Sequence, residues 1–195
     1  MSEAERIRWD ERYASGEYQP RDLPSPLLER AIGHIERGRA LVMACGAGRN
    51  ALRLAEAGFE VSAVDVSEVA IDMAKTQARI RRLDVDWQVG DLDDMKLSAD
   101  SYDLITMIRY VNRAIWPGLY PALGSNGWLL MEQHLRSHRD VIGPTDDYRL
   151  EPGELLRAFP SMRIIEYSES IEGSDRQPGL VASARLLACK GDPGW

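Results

Sequence analysis

Apolar residues in this chain come in two kinds of block. Short continuous apolar runs bounded by Gly, Asp or Pro predict buried strands at 40–45, 59–65, 85–89, 102–108 and 128–134. Between them, apolar residues three or four apart predict helices. These cover 3–14, the stretch from Ser25 to near Gly38 (stripe Leu27, Leu28, Ala31, Ile32, Ile35), 49–57 and Ser67 to about 80. Two more are predicted at about 113–123 and from 151–154 to Pro160. Ser67 is the N-cap of the fourth, with Val69, Ala70, Met73, Ala74 and Gln77 facing inward. Residues 124–127 (Gly-Ser-Asn-Gly) read as a turn, 136–150 as a polar loop, and 162–171 with 180–189 as a closing hairpin. Strands alternating with helices predict an α/β fold with a mostly parallel sheet.

The most informative stretch is 40–51, Ala-Leu-Val-Met-Ala-Cys-Gly-Ala-Gly-Arg-Asn-Ala. It joins a strand to a helix through a turn containing Gly46 and Gly48. Glycine turns tightly and lets backbone approach a ligand, and the helix start offers free N–H groups. The next strand ends at Asp65, nineteen residues after Gly46, where a carboxylate can accept from both hydroxyls of a ribose. Two cofactor readings fit. Gly46-x-Gly48-x-x-Ala51 satisfies the dinucleotide fingerprint. The same residues, with Trp9-Asp10-Glu11-Arg12-Tyr13 before them, Gly90-Asp91 after the third strand and Tyr102-Asp103-Leu104-Ile105 opening the fourth, resemble class I S-adenosylmethionine-dependent methyltransferases. The likeness is to the small bacterial branch related to tellurite-resistance and thiopurine methyltransferases.

That resemblance implies a Rossmann-like seven-stranded, mostly parallel sheet with helices on both faces and an antiparallel C-terminal hairpin strand. It implies one domain over 1–195, with 1–38 as a helical lid or cap and 191–195 as a loose tail. The cofactor would be S-adenosylmethionine, leaving as S-adenosylhomocysteine. The backbone of Ala44, Cys45, Gly46, Ala47 and Gly48 would hold its amino-acid portion, Asp65 its ribose and Val66 its adenine. Asp91 and Leu92 would lie at the adenine edge, and Met107, Ile108 and Arg109 near the sulfonium. Arg49 pairs with the cofactor carboxylate or with a surface acid; Tyr13, four residues from Trp9, belongs to the lid or to ordinary packing. Asp65 could instead cap the helix at Ser67, and Asp91 could belong to a solvated acidic turn with Asp93 and Asp94.

Methyl transfer asks mainly for alignment and exclusion of water. Candidate catalytic residues are Arg109, Tyr110 and His134 at the ends of the fourth and fifth strands. Of Arg109 and Arg113, one is assigned to an anionic substrate group and the other to a structural carboxylate. His134 titrates near neutrality and suits a general base or a hydrogen-bonded structural role. Substrate contacts are expected from Asn112, Arg113, Glu132, Arg136, Tyr148 and Arg149, the last two in the loop after the fifth strand. The acceptor would be a small molecule, with an anion or soft nucleophile preferred.

The chain has a net charge of −7, which argues against general nucleic-acid binding. No apolar run approaches a membrane span and no secretory leader is visible, so a cytoplasmic protein is expected. Cys45 and Cys189 lie in apolar runs without metal-ligand spacing, so no metal is expected. One position departs from the family pattern: Val42 stands where an acid is usual, four before Gly46. That keeps open a non-catalytic S-adenosylmethionine-binding or assembly protein. A short NAD-linked oxidoreductase is the third reading, though no Tyr-x-x-x-Lys spacing occurs.

Overall fold

A computed structural model describes residues 3–174 and 177–194. Seven strands, β1 (Arg39–Met43), β2 (Glu60–Asp65), β3 (Asp86–Val89), β4 (Tyr102–Ile108), β5 (Leu123–His134), β6 (Arg163–Gly173) and β7 (Leu180–Cys189), form one sheet. Its order is β3-β2-β1-β4-β5-β7-β6. The first five strands run parallel, while β7 is antiparallel to both β5 and β6 and lies between them. Helices α1 (Glu3–Ala14), α2 (Pro26–Ala31), α3 (Arg49–Glu56), α4 (Glu68–Arg81), α5 (Trp116–Ala122) and α6 (Glu154–Ala158), with one 3-10 turn at Asp146–Tyr148, complete the described elements. The expected fold class is therefore the observed one.

Strand alternation divides the core into two layers. Leu41, Met43, Ile105, Met107, Leu129 and Met131 pack under α5 and α6. Val42, Leu104 and Leu130 face the other way, against α2, α3 and Ile71 of α4. Burying each leucine of this set stabilises the fold by about 1.5–3 kcal/mol before entropy is counted. Ser25 caps α2 by accepting from Leu27 N–H at 3.2 Å, and Pro26 presets its first turn. Ser67 caps α4 by accepting from Ala70 N–H at 3.1 Å.

Several boundaries differ from the sequence reading. α2 stops at Ala31, and Ile32 and Ile35 are buried from a turn rather than a helix. The buried stripe of α4 is Ala70, Ile71, Ala74 and Ala78, leaving Met73 37% exposed. α5 starts at Trp116 because Pro117 suits only a first turn, and α6 ends before Phe159, which precedes Pro160. Residues 124–127 do not separate α5 from β5; they bulge out of β5 itself. The pairing jumps from Tyr102–Leu123 to Leu104–Trp128, with Asn126 at φ +62°. Asn126 Oδ1 accepts from Asp192 N–H at 3.0 Å, which anchors 191–194; Trp195 lies outside the described residues.

Candidate functional site

The chain crosses from β1 to β2 on one side and reaches β4 on the other, so strand order reverses between β1 and β4. Such a reversal opens a crevice at the carboxyl ends of the strands. Here β1 runs into Ala44 at φ +51°, then Gly46 at +54° and Gly48 at +87°. Cys45 N–H donates to Val64 O and Gly48 N–H to Cys45 O, both at 3.0 Å, which locks the bend. A Cβ on Gly46 would lie 2.7 Å from Tyr13 Oη, inside the crevice. At Gly48 it would strike Trp87 at 2.6 Å and Ala74 at 2.9 Å, so Gly48 serves the approach of α3 to α4 and β3.

Asp65 is 8% exposed. Its Oδ2 accepts from Gly46 N–H at 2.7 Å and its Oδ1 from Ser67 N–H at 3.0 Å. Burial pushes its carboxyl above the usual aspartate range, while the N–H groups of Ser67, Gly46 and Val66 pull the other way. Each oxygen keeps a lone pair for a further donor. The residue thus braces the glycine bend, starts the α4 turn and presents acceptor capacity at the crevice.

The crevice, about 120 Å³ in volume, is lined by residues from α1 through β4. Trp9, Tyr13 and Tyr18 form its outer wall, with ring centroids 5.1–6.1 Å apart, and Arg12 lies 4.8 Å over Trp9. Three arginines, Arg21, Arg49 and Arg109, share the lining with Tyr110. Arg49 Nη1 donates to Leu23 O at 2.8 Å, and burial followed by Arg21 lowers its pKa to about 10. Arg109 follows β4 at φ +59°, a conformation costing on the order of 1–3 kcal/mol for a residue with a Cβ. Its N–H donates to Glu132 O at 2.7 Å and its Nη2 to Glu132 Oε1 at 3.2 Å. Glu132 itself is buried and also accepts from Ser25 Oγ at 2.8 Å. Arg109 Nη1 lies 3.0 Å from His134 Nε2. Guanidinium only donates, so Nε2 accepts and the proton of neutral His134 is assigned to Nδ1. Burial, then Arg109, Arg149 and Arg21, lower the His134 pKa to about 3. Burial pushes Tyr110 up to about 12.

Residues 40–123 match a family described as a methyltransferase domain. Over 98 residues the chain is 30% identical to the ubiquinone biosynthesis O-methyltransferase of Coxiella burnetii, covering 49% of this chain and 42% of that protein. Over 81 residues it is 35% identical to the 23S rRNA (uracil(747)-C(5))-methyltransferase of Pyrococcus abyssi, covering 41% of this chain and 20% of that one. The chain spans less than half the length of either relative. The structure of TehB from Haemophilus influenzae has a TM-score of 0.76 at 20% identity, covering 93% of this chain and 67% of that chain, a likeness of fold. Residues 40–123 are thus similar to a methyltransferase domain, and the fold around them is one that solved methyltransferase structures share.

The crevice brings together Tyr13, Ala44, Cys45, Gly46, Ala47, Arg49, Asp65, Val66, Leu92, Ile108, Arg109 and Tyr110. Gly48, Asp91 and Met107 lie off its lining. Met107 is fully buried in the core, and its carbonyl accepts from Gln133 Nε2 at 3.0 Å. Asp91 accepts from Asp93 N–H at 2.9 Å and shapes its own turn. The expected acceptor contacts are largely committed to internal partners. Arg113 grips Glu154 (2.5 and 3.0 Å) and Arg109 grips Glu132, so each of the two arginines holds a carboxylate. Arg136 pairs with Glu151, Asn112 with Asp93 and Tyr110, and Arg149 donates to Pro144 O at 2.8 Å. Tyr148 donates to Glu5 Oε1 at 3.1 Å, linking its loop to α1, and Glu132 is a buried brace. Sequence reasoning missed Tyr18 and Arg21, which belong to no periodic segment or motif, and gave no role to Asn50, which stands inside the glycine-turn stretch. Asn50 Oδ1 accepts from Ser25 N–H at 2.9 Å and ties the start of α3 to the cap of α2.

The cradle suits the cofactor that this domain type uses. The glycine bend leaves backbone rather than Cβ at the crevice, Asp65 retains acceptor capacity, and aromatic rings close one side. Among the described residues no group of three or more His, Cys, Asp or Glu could hold a metal ion. Neither is any helix long and apolar enough to cross a membrane.

Proposed function

We propose that this protein transfers the methyl group of S-adenosylmethionine to a small-molecule acceptor. The observation that carries the reading is Asp65, buried at the strand-order reversal with one oxygen on the Gly46 N–H and acceptor capacity to spare. When bound, the cofactor supplies an electrophilic methyl carbon on a sulfonium. The rest falls to the chain. Asp65 accepts hydrogen bonds from the ribose hydroxyls, and Val66 and Leu92 flank the base. Ala44 to Gly46 let the methionine end lie against backbone, and Arg49 meets its carboxylate. Trp9, Tyr13 and Tyr18 exclude water, which preserves alignment and strengthens every charge interaction inside. Arg109 and Tyr110 face the acceptor.

Among the described residues that line the crevice, Asp65 is the one carboxylate, and it is given to the ribose in this reading. His134 has its Nε2 turned to Arg109, and Tyr110 holds its proton. The acceptor therefore arrives with its lone pair already available, as a thiolate or another soft or ionised nucleophile does. A cytoplasmic setting belongs to the same proposal, since both cysteines are buried and unbridged. Val42, 2% exposed within the core, favours a second reading in which the domain binds the cofactor without turnover.

Calorimetry with S-adenosylmethionine and S-adenosylhomocysteine tests the proposal, with micromolar binding expected for both and at least tenfold loss in Asp65→Ala. Absence of binding by either ligand at high micromolar concentration rejects it. Incubation of a metabolite extract with radiolabelled cofactor then separates turnover from binding alone.

A further inference from the structure

The crevice is nearly shut. It encloses about 120 Å³, whereas sites for small molecules enclose roughly 300–1,000 Å³. Tyr13 Oη stands 2.7 Å from where a Cβ on Gly46 would lie, so α1 fills the space above the glycine bend. A ligand that reaches Asp65 must therefore displace α1. That helix has no buried residue and is held by polar contacts on its flanks. Trp9 and Tyr13 form its underside against the crevice. At about 100° per residue, Glu5 and Asp10 stand to either side of them, about 140° apart. Asp10 Oδ1 meets α4, accepting from Ser67 Oγ at 2.7 Å and Val69 N–H at 3.3 Å. Glu5 Oε1 meets the loop after β5, accepting from Tyr148 Oη at 3.1 Å, with Arg8 3.9 Å away on the same flank. That loop is itself fixed to the sheet. Leu150 N–H donates to His134 O at 2.8 Å, and Arg113 Nη2 donates to Arg149 O at 2.9 Å. The two attachments are unequal. Asp10 is joined to α4 twice, and its partner Ser67 also donates to Asp65. Tyr148 contributes one hydrogen bond and is 45% exposed, where water competes for both partners.

We propose that Tyr148 is a positioning residue. Its hydroxyl on Glu5 is the releasable end of a strap, α1, which pivots at Asp10 and opens toward the loop after β5 to admit a ligand. The ligand's identity rests on the methyltransferase reading above; the strap does not. The same hydrogen bond holds α1 down over an empty and a filled crevice alike. Losing it raises the open population in both states, and passage in either direction scales with that population. Entry and escape therefore quicken together, while their ratio, the affinity, moves less. Asp10 behaves differently, because Ser67 links it to Asp65 on the ligand side.

The test is stopped-flow binding of S-adenosylhomocysteine to the full chain, followed by tryptophan fluorescence, with hydrogen–deuterium exchange of the ligand-free chain alongside. Tyr148→Phe, which keeps the ring and removes the donor, is expected to raise the association and dissociation rates each about threefold or more. It should also speed amide exchange over 3–14 about threefold or more while the β1 and β4 amides stay protected. Glu5→Ala should reproduce both effects, and Glu5→Gln, which keeps an acceptor oxygen, should largely cancel them. Asp10→Ala should instead lower the affinity itself. A role confined to overall stability would not move the two rates in step. The proposal is overturned if Tyr148→Phe leaves exchange and rates unchanged, or raises the dissociation rate alone. It is equally overturned if Glu5→Ala fails to match it, if Glu5→Gln restores nothing, or if Asp10→Ala leaves the affinity unchanged. Should S-adenosylhomocysteine fail to bind the unaltered chain, the methyltransferase reading falls by itself. Exchange in the same variants then still decides whether Tyr148 holds α1.

Discussion

His134 ends β5 with its Nε2 facing Arg109, and two further arginines, Arg149 and Arg21, act on the ring. Its pKa falls from 6.5 to about 3, so the folded chain refuses a proton that the unfolded chain accepts below pH 6.5. Stability therefore rises with pH across that window and is lost on acidification, by up to ~1.4 kcal/mol per unit from this residue. Urea unfolding at pH 7, 6 and 5 should show a shallower acid loss in His134→Gln than in the unaltered protein; parallel curves would refute the assignment. The glycine bend and Asp65 were legible in the sequence because glycine spacing and an acid at a strand end have a direct backbone consequence. That both Arg109 and Arg113 hold carboxylates of the chain was not legible. Only the fold brings Glu154 to Arg113 and Glu132 to Arg109, across 41 and 23 residues. Arg21 left no signal because a loop residue follows no period.

α1 has no fully buried residue and is held by specific polar contacts. Asp10 Oδ1 accepts from Ser67 Oγ at 2.7 Å and Val69 N–H at 3.3 Å, and its Oδ2 pairs with Arg6 at 2.9 Å. Asp10 thus adds an external cap to α4, where an anion also meets the favourable end of the helix dipole. Asp10→Ala should cost about 1 kcal/mol of stability. It should also raise hydrogen–deuterium exchange over 3–14 while the β1, β4 and β5 amides stay protected; unchanged exchange in α1 would show that Asp10 does not hold it. Most helix and strand positions were readable from periodicity, since the parallel strands are continuous apolar runs with capped helices between them. The excursion at 124–127 was misread because Gly-Ser-Asn-Gly carries the same turn signal whether it lies between two elements or within one. α4 was misread by about one position, since its small residues Ala70, Ala74 and Ala78 carry little hydrophobic contrast.

The molecule carries a net charge of −7 while concentrating arginines in one narrow crevice. A phosphate backbone meets an extended surface, so overall repulsion dominates its encounter, whereas a small anion samples only the local field. Filter binding with a 23S rRNA fragment at physiological salt is expected to give a dissociation constant above about 100 µM, the weak end of non-specific binding. Micromolar retention would instead favour an RNA substrate like that of the archaeal relative. The position of β7 has a consequence for how the chain is made. Strand β5 has one neighbour in β4 and must wait for residues 180–189 to gain the other. The intervening hairpin partner β6 emerges first, with no place on the sheet until β7 arrives. A chain without β7 leaves β5 short of one neighbour and β6 with none, and such unpaired β-edges are where it can stick to other chains.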